Sequence, residues 1–173
     1  YICVHDSKNI LKYRLSTDRI SSVDYGEDVM VNGVKFTFFP AGHIIGSAQI
    51  RVEYKGEIWV VSGDYKTEND AISGNFEPIH CHSFITECTF GLPVFNWKPQ
   101  EEIFTEINDW WAKNKAENKI SLISAYSLGK AQRVIQGLDP SIGKIFTHSA
   151  VENTNEVIRN SGKQIQETHL LDK

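Results

Sequence analysis

The sequence predicts an α/β protein built from two parts. In residues 29–61, short apolar stretches alternate with tight turns, which indicates neighbouring strands of one sheet. Beyond residue 93 the pattern changes, because strand-like and helix-like segments alternate along the chain. Such alternation is typical of a small parallel α/β unit. The 173 residues are enough for one domain or for pieces of two.

Composition and charge are those of a globular protein with a core, at 40% hydrophobic and 11% aromatic residues. No apolar run approaches the roughly 18 residues of a membrane span and no signal peptide is recognisable, so we expect no membrane association. The net charge of −4 excludes a wholly basic nucleic-acid coat, so a metal and a few cations would have to bind any polyanion locally. Three cysteines without paired spacing predict reduced thiols in a cytoplasmic protein.

The strands of the first part are predicted from apolar alternation and from turn residues. Residues 27–39 are expected to form a hairpin around Asn32-Gly33, because these residue types adopt the left-handed backbone of a tight turn. Residues 48–54, 58–61 and 83–86 are predicted as further strands. Several of these strands end in a polar residue, which fits one face of a β-sandwich.

The second part begins with a strongly amphipathic helix predicted over residues 100–114. Its apolar residues include Trp110 and Trp111, which we assign to the core and the helix surface rather than to a base-stacking platform. The elements expected after it are a strand over 120–125, a helix over 128–137, a strand over 144–147 and a helix over 152–161.

Two residues of metal-ligand type follow strand ends, each beside a glycine. His43 comes after the strand that stops at Pro40, and Asp64 comes after the strand over 58–61. An unpaired imidazole or carboxylate costs several kcal/mol in a dry interior, so we expect both side chains at an exposed rim. Together they suit a borderline metal such as zinc. Taken singly, each is more often an ordinary loop or turn residue.

Further polar residues lie at comparable positions. Glu87 ends the strand over 83–86, where a carboxylate facing water is the plain alternative. Lys130 and Arg133 lie near a helix start, which favours phosphate binding, although a crossover turn explains the pattern equally well. His148 is expected to cap the helix that follows it, with a role towards substrate as the alternative. The pair His80 and His82 imitates a metal site, but we assign it to structure or surface.

Four segments in this order, PAGHIIGSAQI, VVSGDYK, FITECTFGLPVF and AYSLGKAQR, resemble the motifs of the β-CASP family. This family is the nucleic-acid-cutting branch of the metallo-β-lactamase fold, and the chain resembles its bacterial ligase-associated exonucleases most. The resemblance implies that residues 1–98 are part of an αββα sandwich. It also implies that residues 99–173 are part of an inserted β-CASP parallel α/β domain.

The resemblance also implies a site and a reaction. His43 would ligate one of two zinc ions, Asp64 would bridge both, and Glu87 would hydrogen-bond a histidine. The residues expected to face nucleic acid are Ser127, Gly129, Lys130, Arg133 and His148. The reaction would be metal-dependent phosphodiester hydrolysis of DNA or RNA, in DNA repair or mRNA 3′-end processing, with DNA ligase or helicase-type partners.

Other family motifs are missing from the sequence. The HxHxDH motif, which supplies most zinc ligands, is expected before Tyr1, and the later histidines are expected after residue 173. We therefore expect a fragment that is inactive alone. A small-molecule metallohydrolase of the same fold and a non-catalytic nucleic-acid-binding module are the two alternatives.

Overall fold

The fold is mixed α/β, as predicted, in a computed structural model that describes residues 1–70 and 72–171. Two compact units are present, Tyr1–Thr89 and Phe90–Lys173. The assignment of residues 1–98 and 99–173 to two family domains stays a prediction. Residues 71, 172 and 173 lie outside the described residues. None of the helices described is both long and apolar enough to cross a membrane.

The first unit opens with a small parallel pair of strands and a helix. Strand β1 (Ile2–Val4) leads into helix α1 (His5–Leu15), and β2 (Ser21–Val23) then pairs with β1. The buried side chains of this part are apolar, namely those of Cys3, Val4, Ile10 and Ile20. The first turn of α1 is polar and has no apolar periodicity, so the sequence signals this helix only weakly.

A five-stranded sheet forms the rest of the first unit, in the order β3-β4-β5-β6-β7. Its strands are β3 (Asp28–Val31), β4 (Val34–Pro40), β5 (Ala48–Tyr54), β6 (Glu57–Val61) and β7 (Ser83–Ile85). Neighbours are antiparallel except β6 and β7, which run parallel. The hairpin between β3 and β4 is confirmed, with φ of 50° at Asn32 and 80° at Gly33.

The second unit contains three helices and a short parallel strand pair among its described residues. Its elements are α2 (Gln100–Ala116), α3 (Lys130–Gly137), β8 (Phe146–Thr147), α4 (Ser149–Asn160) and β9 (His169–Leu170). Strands β8 and β9 are parallel, and β9 was not predicted. Asn108 of α2 joins the end of α3, because its amide donates to the Gly137 carbonyl at 2.9 Å. Trp111 packs on Gly143, which agrees with its assignment to the core.

The strand predicted over residues 120–125 is wrong, because this segment is irregular in the structure. Ile120 and Leu122 are 95% and 88% exposed, so they do not contribute to a packed sheet. A strand requires a hydrogen-bonding neighbour, and β8 pairs only with β9 among the described elements. An apolar run shows that a segment is able to form a strand, but it does not show that a neighbour is present.

Candidate active site

The turn that carries His43 is held by a single serine. Ser47 accepts hydrogen bonds on its hydroxyl oxygen from the backbone N–H groups of His43 at 3.0 Å and Ile44 at 3.2 Å. The backbone of Ser47 also accepts from the Ala41 N–H at 3.1 Å, which closes the turn between β4 and β5. The position of His43 is therefore set by local bonds from a short polar side chain.

Gly42 brings this turn against the segment that follows β6. The Lys66 N–H donates to the Ala41 carbonyl at 3.0 Å, so the two segments are joined by their backbones. A Cβ atom at Gly42 would lie 2.4 Å from the Lys66 carbonyl oxygen, and φ at Gly42 is +70°. Only glycine allows both this approach and this conformation. The contact places Asp64, two residues before Lys66, near His43.

His43 and Asp64 meet, with Nε2 of the histidine 3.8 Å from Oδ2 of the aspartate. Their side chains are 42% and 73% exposed, so the two atoms that could bind a metal are accessible. Zinc bonds of about 2.0–2.2 Å at a tetrahedral angle would place two such donor atoms about 3.4 Å apart. A shift of a few tenths of an ångström would therefore bring both donors onto one ion. The two residues fit part of a zinc site, since a catalytic site needs three protein ligands.

Glu87 lies in electrostatic reach of His43. Its carboxylate accepts a hydrogen bond from the Thr89 backbone N–H at 2.6 Å. The pKa of Glu87 is lowered by this backbone bond first, then by the Thr89 hydroxyl, with a smaller contribution from the charge of His43. The structure thus brings His43 and Asp64 together, and the charge of His43 acts on the Glu87 carboxylate.

A complete metal site does not form within residues 1–70 and 72–171, where no group of three or more His, Cys, Asp or Glu could hold an ion. The His80 and His82 pair has a structural contact, because Nδ1 of His82 accepts the Ile58 N–H at 3.0 Å. This bond uses one ring nitrogen to hold the start of β6. This hydrogen bond agrees with the assignment of His80 and His82 to structure or surface.

Tyr25 supports the His43 turn and was not predicted. Its hydroxyl donates to the Ser47 carbonyl at 3.1 Å. Burial first, and the charge of Asp6 second, raise the pKa of Tyr25 to about 12. The phenol therefore stays a donor at all physiological pH values. Nothing in the sequence marks this contact, because the two residues are 22 positions apart.

In the second unit, the start of α3 is shaped by Gly129 and Gln132. The Gly129 N–H donates to Oε1 of Gln132 at 2.7 Å, and φ at Gly129 is 90°. The role of Gly129 towards nucleic acid stays a prediction, and its N–H is bonded within the chain. Its contribution is the left-handed conformation of the turn. The Lys130 ammonium lies 5.6 Å from the centre of the Tyr126 ring, and both side chains are exposed.

His148 caps α4, as expected. Its Nδ1 accepts the Ala150 backbone N–H at 3.1 Å, which satisfies one of the free donors of the first helical turn. The imidazole is exposed, and its Nε2 is not used by this cap. A role of His148 towards substrate stays a prediction, as it does for Ser127, Lys130 and Arg133.

Comparisons with known proteins bear on this site. No family model matches the chain. It is 32% identical to Endoribonuclease YSH1 of Saccharomyces cerevisiae over 126 residues, 72% of the chain and 16% of that protein. It is 33% identical to Cleavage and polyadenylation specificity factor subunit 3-I of Arabidopsis thaliana over 130 residues, 72% of the chain and 18% of that protein. A probable DNA ligase of Opitutus terrae is 26% identical over 165 residues, 93% of the chain and 16% of the relative.

These relatives confirm the family that the four motifs resemble. The chain belongs to the β-CASP family of metallo-β-lactamase-fold proteins. The particular proteins that it is similar to are the endoribonuclease of yeast, the cleavage factor subunit of Arabidopsis and the probable ligase of Opitutus. The chain spans about a sixth of the length of each of them.

Proposed function

We propose that this chain forms part of a metal-dependent nuclease that hydrolyses phosphodiester bonds. The observation that carries the proposal is the meeting of His43 Nε2 and Asp64 Oδ2 at 3.8 Å. An imidazole and a carboxylate at this separation, both exposed at the ends of neighbouring loops, are suited to a metal and not to a packed core. Homology to endoribonucleases supports the reaction class.

His43 would ligate one zinc ion, and Asp64 would bridge it to a second. Two such ions would lower the pKa of a bound water and stabilise charge on the leaving oxygen. The remaining ligands would come from residues outside this chain. Glu87 would accept a hydrogen bond from a ligand or substrate histidine and hold its ring orientation. Its lowered pKa supports this role, because only an ionised carboxylate is purely an acceptor.

The nucleic-acid backbone would lie along the start of α3. Lys130 and Arg133 supply positive charge at the start of α3, where the helix dipole adds a partial positive charge. Ser127 offers a hydroxyl in the preceding turn, and the exposed imidazole of His148 is a further donor. In a protein with a net charge of −4, binding of a polyanion depends on such local clusters of cations.

The domain arrangement follows from the family. Residues 1–98 would belong to the αββα sandwich and residues 99–173 to the inserted β-CASP domain. The five-stranded sheet of the first unit and the parallel strands β8 and β9 of the second support this division. The three cysteines, of which Cys3 is buried, suit a reduced and therefore cytoplasmic protein.

RNA is the substrate that the relatives favour, since the yeast protein is named an endoribonuclease. A DNA exonuclease that works beside a DNA ligase or a helicase is the second candidate. The similarity to a probable DNA ligase over 93% of the chain supports it. Hydrolysis of labelled single-stranded RNA and DNA of the same sequence, with labels at either end, would distinguish the two candidates.

The proposal is tested by Asp64→Asn in the complete polypeptide that contains this chain. An amide has the shape of the carboxylate but no charge to share between two ions, so hydrolysis should fall by more than about a hundredfold. The fold should be preserved, since Asp64 is exposed. The measurement is the turnover of labelled oligonucleotide, with the zinc content of each preparation determined in parallel.

Asp18→Asn is the matched control, because Asp18 is also exposed and pairs with Lys12 far along the chain from the site. It should leave turnover and zinc content unchanged. If Asp64→Asn also left both unchanged, Asp64 would be an ordinary turn residue and the proposal would fail. If the wild type hydrolysed no oligonucleotide and Asp64→Asn only lost zinc, the non-catalytic binding module would be favoured.

A further inference from the structure

Gln132 closes a ring of hydrogen bonds around the turn before α3. Its Oε1 accepts from the Gly129 N–H at 2.7 Å, while its Nε2 donates to the Ser127 carbonyl at 3.0 Å. One side chain therefore holds both ends of the turn formed by residues 127–129. The side chain is only 1% exposed, so water does not compete for these bonds.

The same amide is joined to the interior of the second unit. Its Nε2 also donates to Oδ1 of Asn155, in the middle of α4, at 2.8 Å. Asn155 is completely buried, and its own amide nitrogen points to Thr168 at 3.3 Å and to Glu152 at 3.5 Å. The bond to Thr168 connects α4 with the residue that precedes β9, and the bond to Glu152 stays within α4.

Glu152 determines which atom donates and which accepts in the hydrogen bonds that run from it through Asn155 to Gln132. The carboxylate of Glu152 accepts from Thr147, Thr168 and Arg159 and has no proton to donate when ionised. Asn155 must therefore turn its NH₂ group towards Glu152 and its oxygen towards Gln132. Gln132 in turn must present its oxygen to Gly129. An amide flip at either residue would place two acceptors or two donors face to face.

We infer that Gln132, oriented by Asn155, is the positioning residue that holds residues 127–129 in place for a nucleic-acid backbone. This inference rests on the proposed function, in which that turn contacts phosphate. Glycine adopts the conformation at residue 129, with φ of 90°, without steric cost, but it adopts others as readily, so bonds from outside the turn are needed to select this one. The buried amide supplies these bonds and links the turn to β8 and β9 through α4.

The inference is tested in the complete polypeptide that contains this chain, kept free of metal so that RNA is not cleaved, with Gln132→Met, which keeps the length of the side chain but removes its hydrogen bonds. The matched control is Gln166→Met. Gln166 also donates two bonds from Nε2, to the carbonyls of Gln136 and Leu138 at 3.0 Å each, but these lie at the opposite end of α3. The two variants should lose similar amounts of stability in thermal unfolding.

The readout is the affinity for a fluorescent single-stranded RNA of about ten nucleotides, measured by anisotropy at fixed salt. We expect binding to weaken about tenfold in Gln132→Met and to stay within about twofold of the wild type in Gln166→Met. Hydrogen exchange gives a second readout that does not need RNA. Amide exchange at residues 127–129 should become faster in Gln132→Met alone.

Equal affinity and equal exchange in the two variants would overturn the inference while leaving the proposed function intact. Absence of salt-dependent RNA binding by the wild-type polypeptide would instead contradict the phosphate contact itself, and the inference with it. If Gln132→Met does not fold, Gln132→Glu replaces it, because a carboxylate still accepts from Gly129 but cannot donate to Ser127 or Asn155. Weaker RNA binding and faster amide exchange at residues 127–129 are then expected in Gln132→Glu.

Discussion

The carboxylate of Glu152 lies inside the second unit, with its side chain 9% exposed. Burial alone would raise the pKa of Glu152, but hydrogen bonds from Thr147, Thr168 and Arg159 outweigh burial and lower the pKa to about 2. The ordinary pKa of the group is 4.5. Since the pKa in the folded protein is the lower one, ionised Glu152 stabilises the fold above pH 4.5, and this contribution is lost as the pH falls towards 2.

Glu152→Gln should therefore lower the free energy of unfolding of the second unit by roughly 3 kcal/mol near neutral pH, because Arg159 loses its buried partner. The difference from the wild type should shrink as the pH falls below 4.5. Thermal unfolding across a pH series measures both effects. Glu156→Gln, an exposed change on the same helix, is the control and should show neither effect. A difference that does not depend on pH would contradict the argument.

At the scale of elements, the turn between β4 and β5 and the segment after β6 form one joined structure. The bond from Lys66 to Ala41 connects them, and the bonds to Ser47 hold the turn itself. Gly42 is the position where the two backbones come closest. The geometry of His43 and Asp64 is thus a property of two strand ends and their packing, and it does not depend on a direct bond between the two side chains.

Gly42→Ala should disturb this arrangement more than an ordinary glycine substitution. Gly33→Ala is the matched control, since φ is +80° there and nothing lies within 4 Å of an added Cβ atom. The control should cost about 1–2 kcal/mol of stability, the usual strain of a left-handed alanine. Gly42→Ala should cost at least about 2 kcal/mol more, because the added atom would also clash with the Lys66 carbonyl. Thermal unfolding of both variants tests this, and equal losses would show that the two segments are not held together at Gly42.

The sequence was most informative for the strands of the first unit and for residues beside strand ends. Alternation and Asn-Gly chemistry located the hairpin, and the glycine-flanked positions of His43 and Asp64 predicted that both lie at a rim. The sequence could not show that residues 120–125 form no strand, because strand pairing depends on distant segments. The supporting contacts of Tyr25 and Gln132 were also missed, since a buried polar bond between remote residues leaves no periodic pattern.

At the scale of the whole molecule, each compact unit carries a different part of the proposed chemistry. The first unit holds His43, Asp64 and Glu87, and the second holds the turn and cations at the start of α3. The chain matches about a sixth of each relative, and only two of the ligands that a catalytic zinc needs are brought together within its described residues. The central claim is that His43 and Asp64 are ligands of a metal completed by residues outside the chain.

The most direct test is anomalous diffraction at the zinc absorption edge from crystals of the complete polypeptide. We predict an anomalous peak about 2.0–2.2 Å from both His43 Nε2 and a carboxylate oxygen of Asp64, with further ligands from residues outside this chain. Diffraction above and below the edge would assign the peak to zinc. A peak beside His80 and His82 with none at His43 and Asp64, or no protein-bound zinc in crystals of an active enzyme, would contradict the central claim.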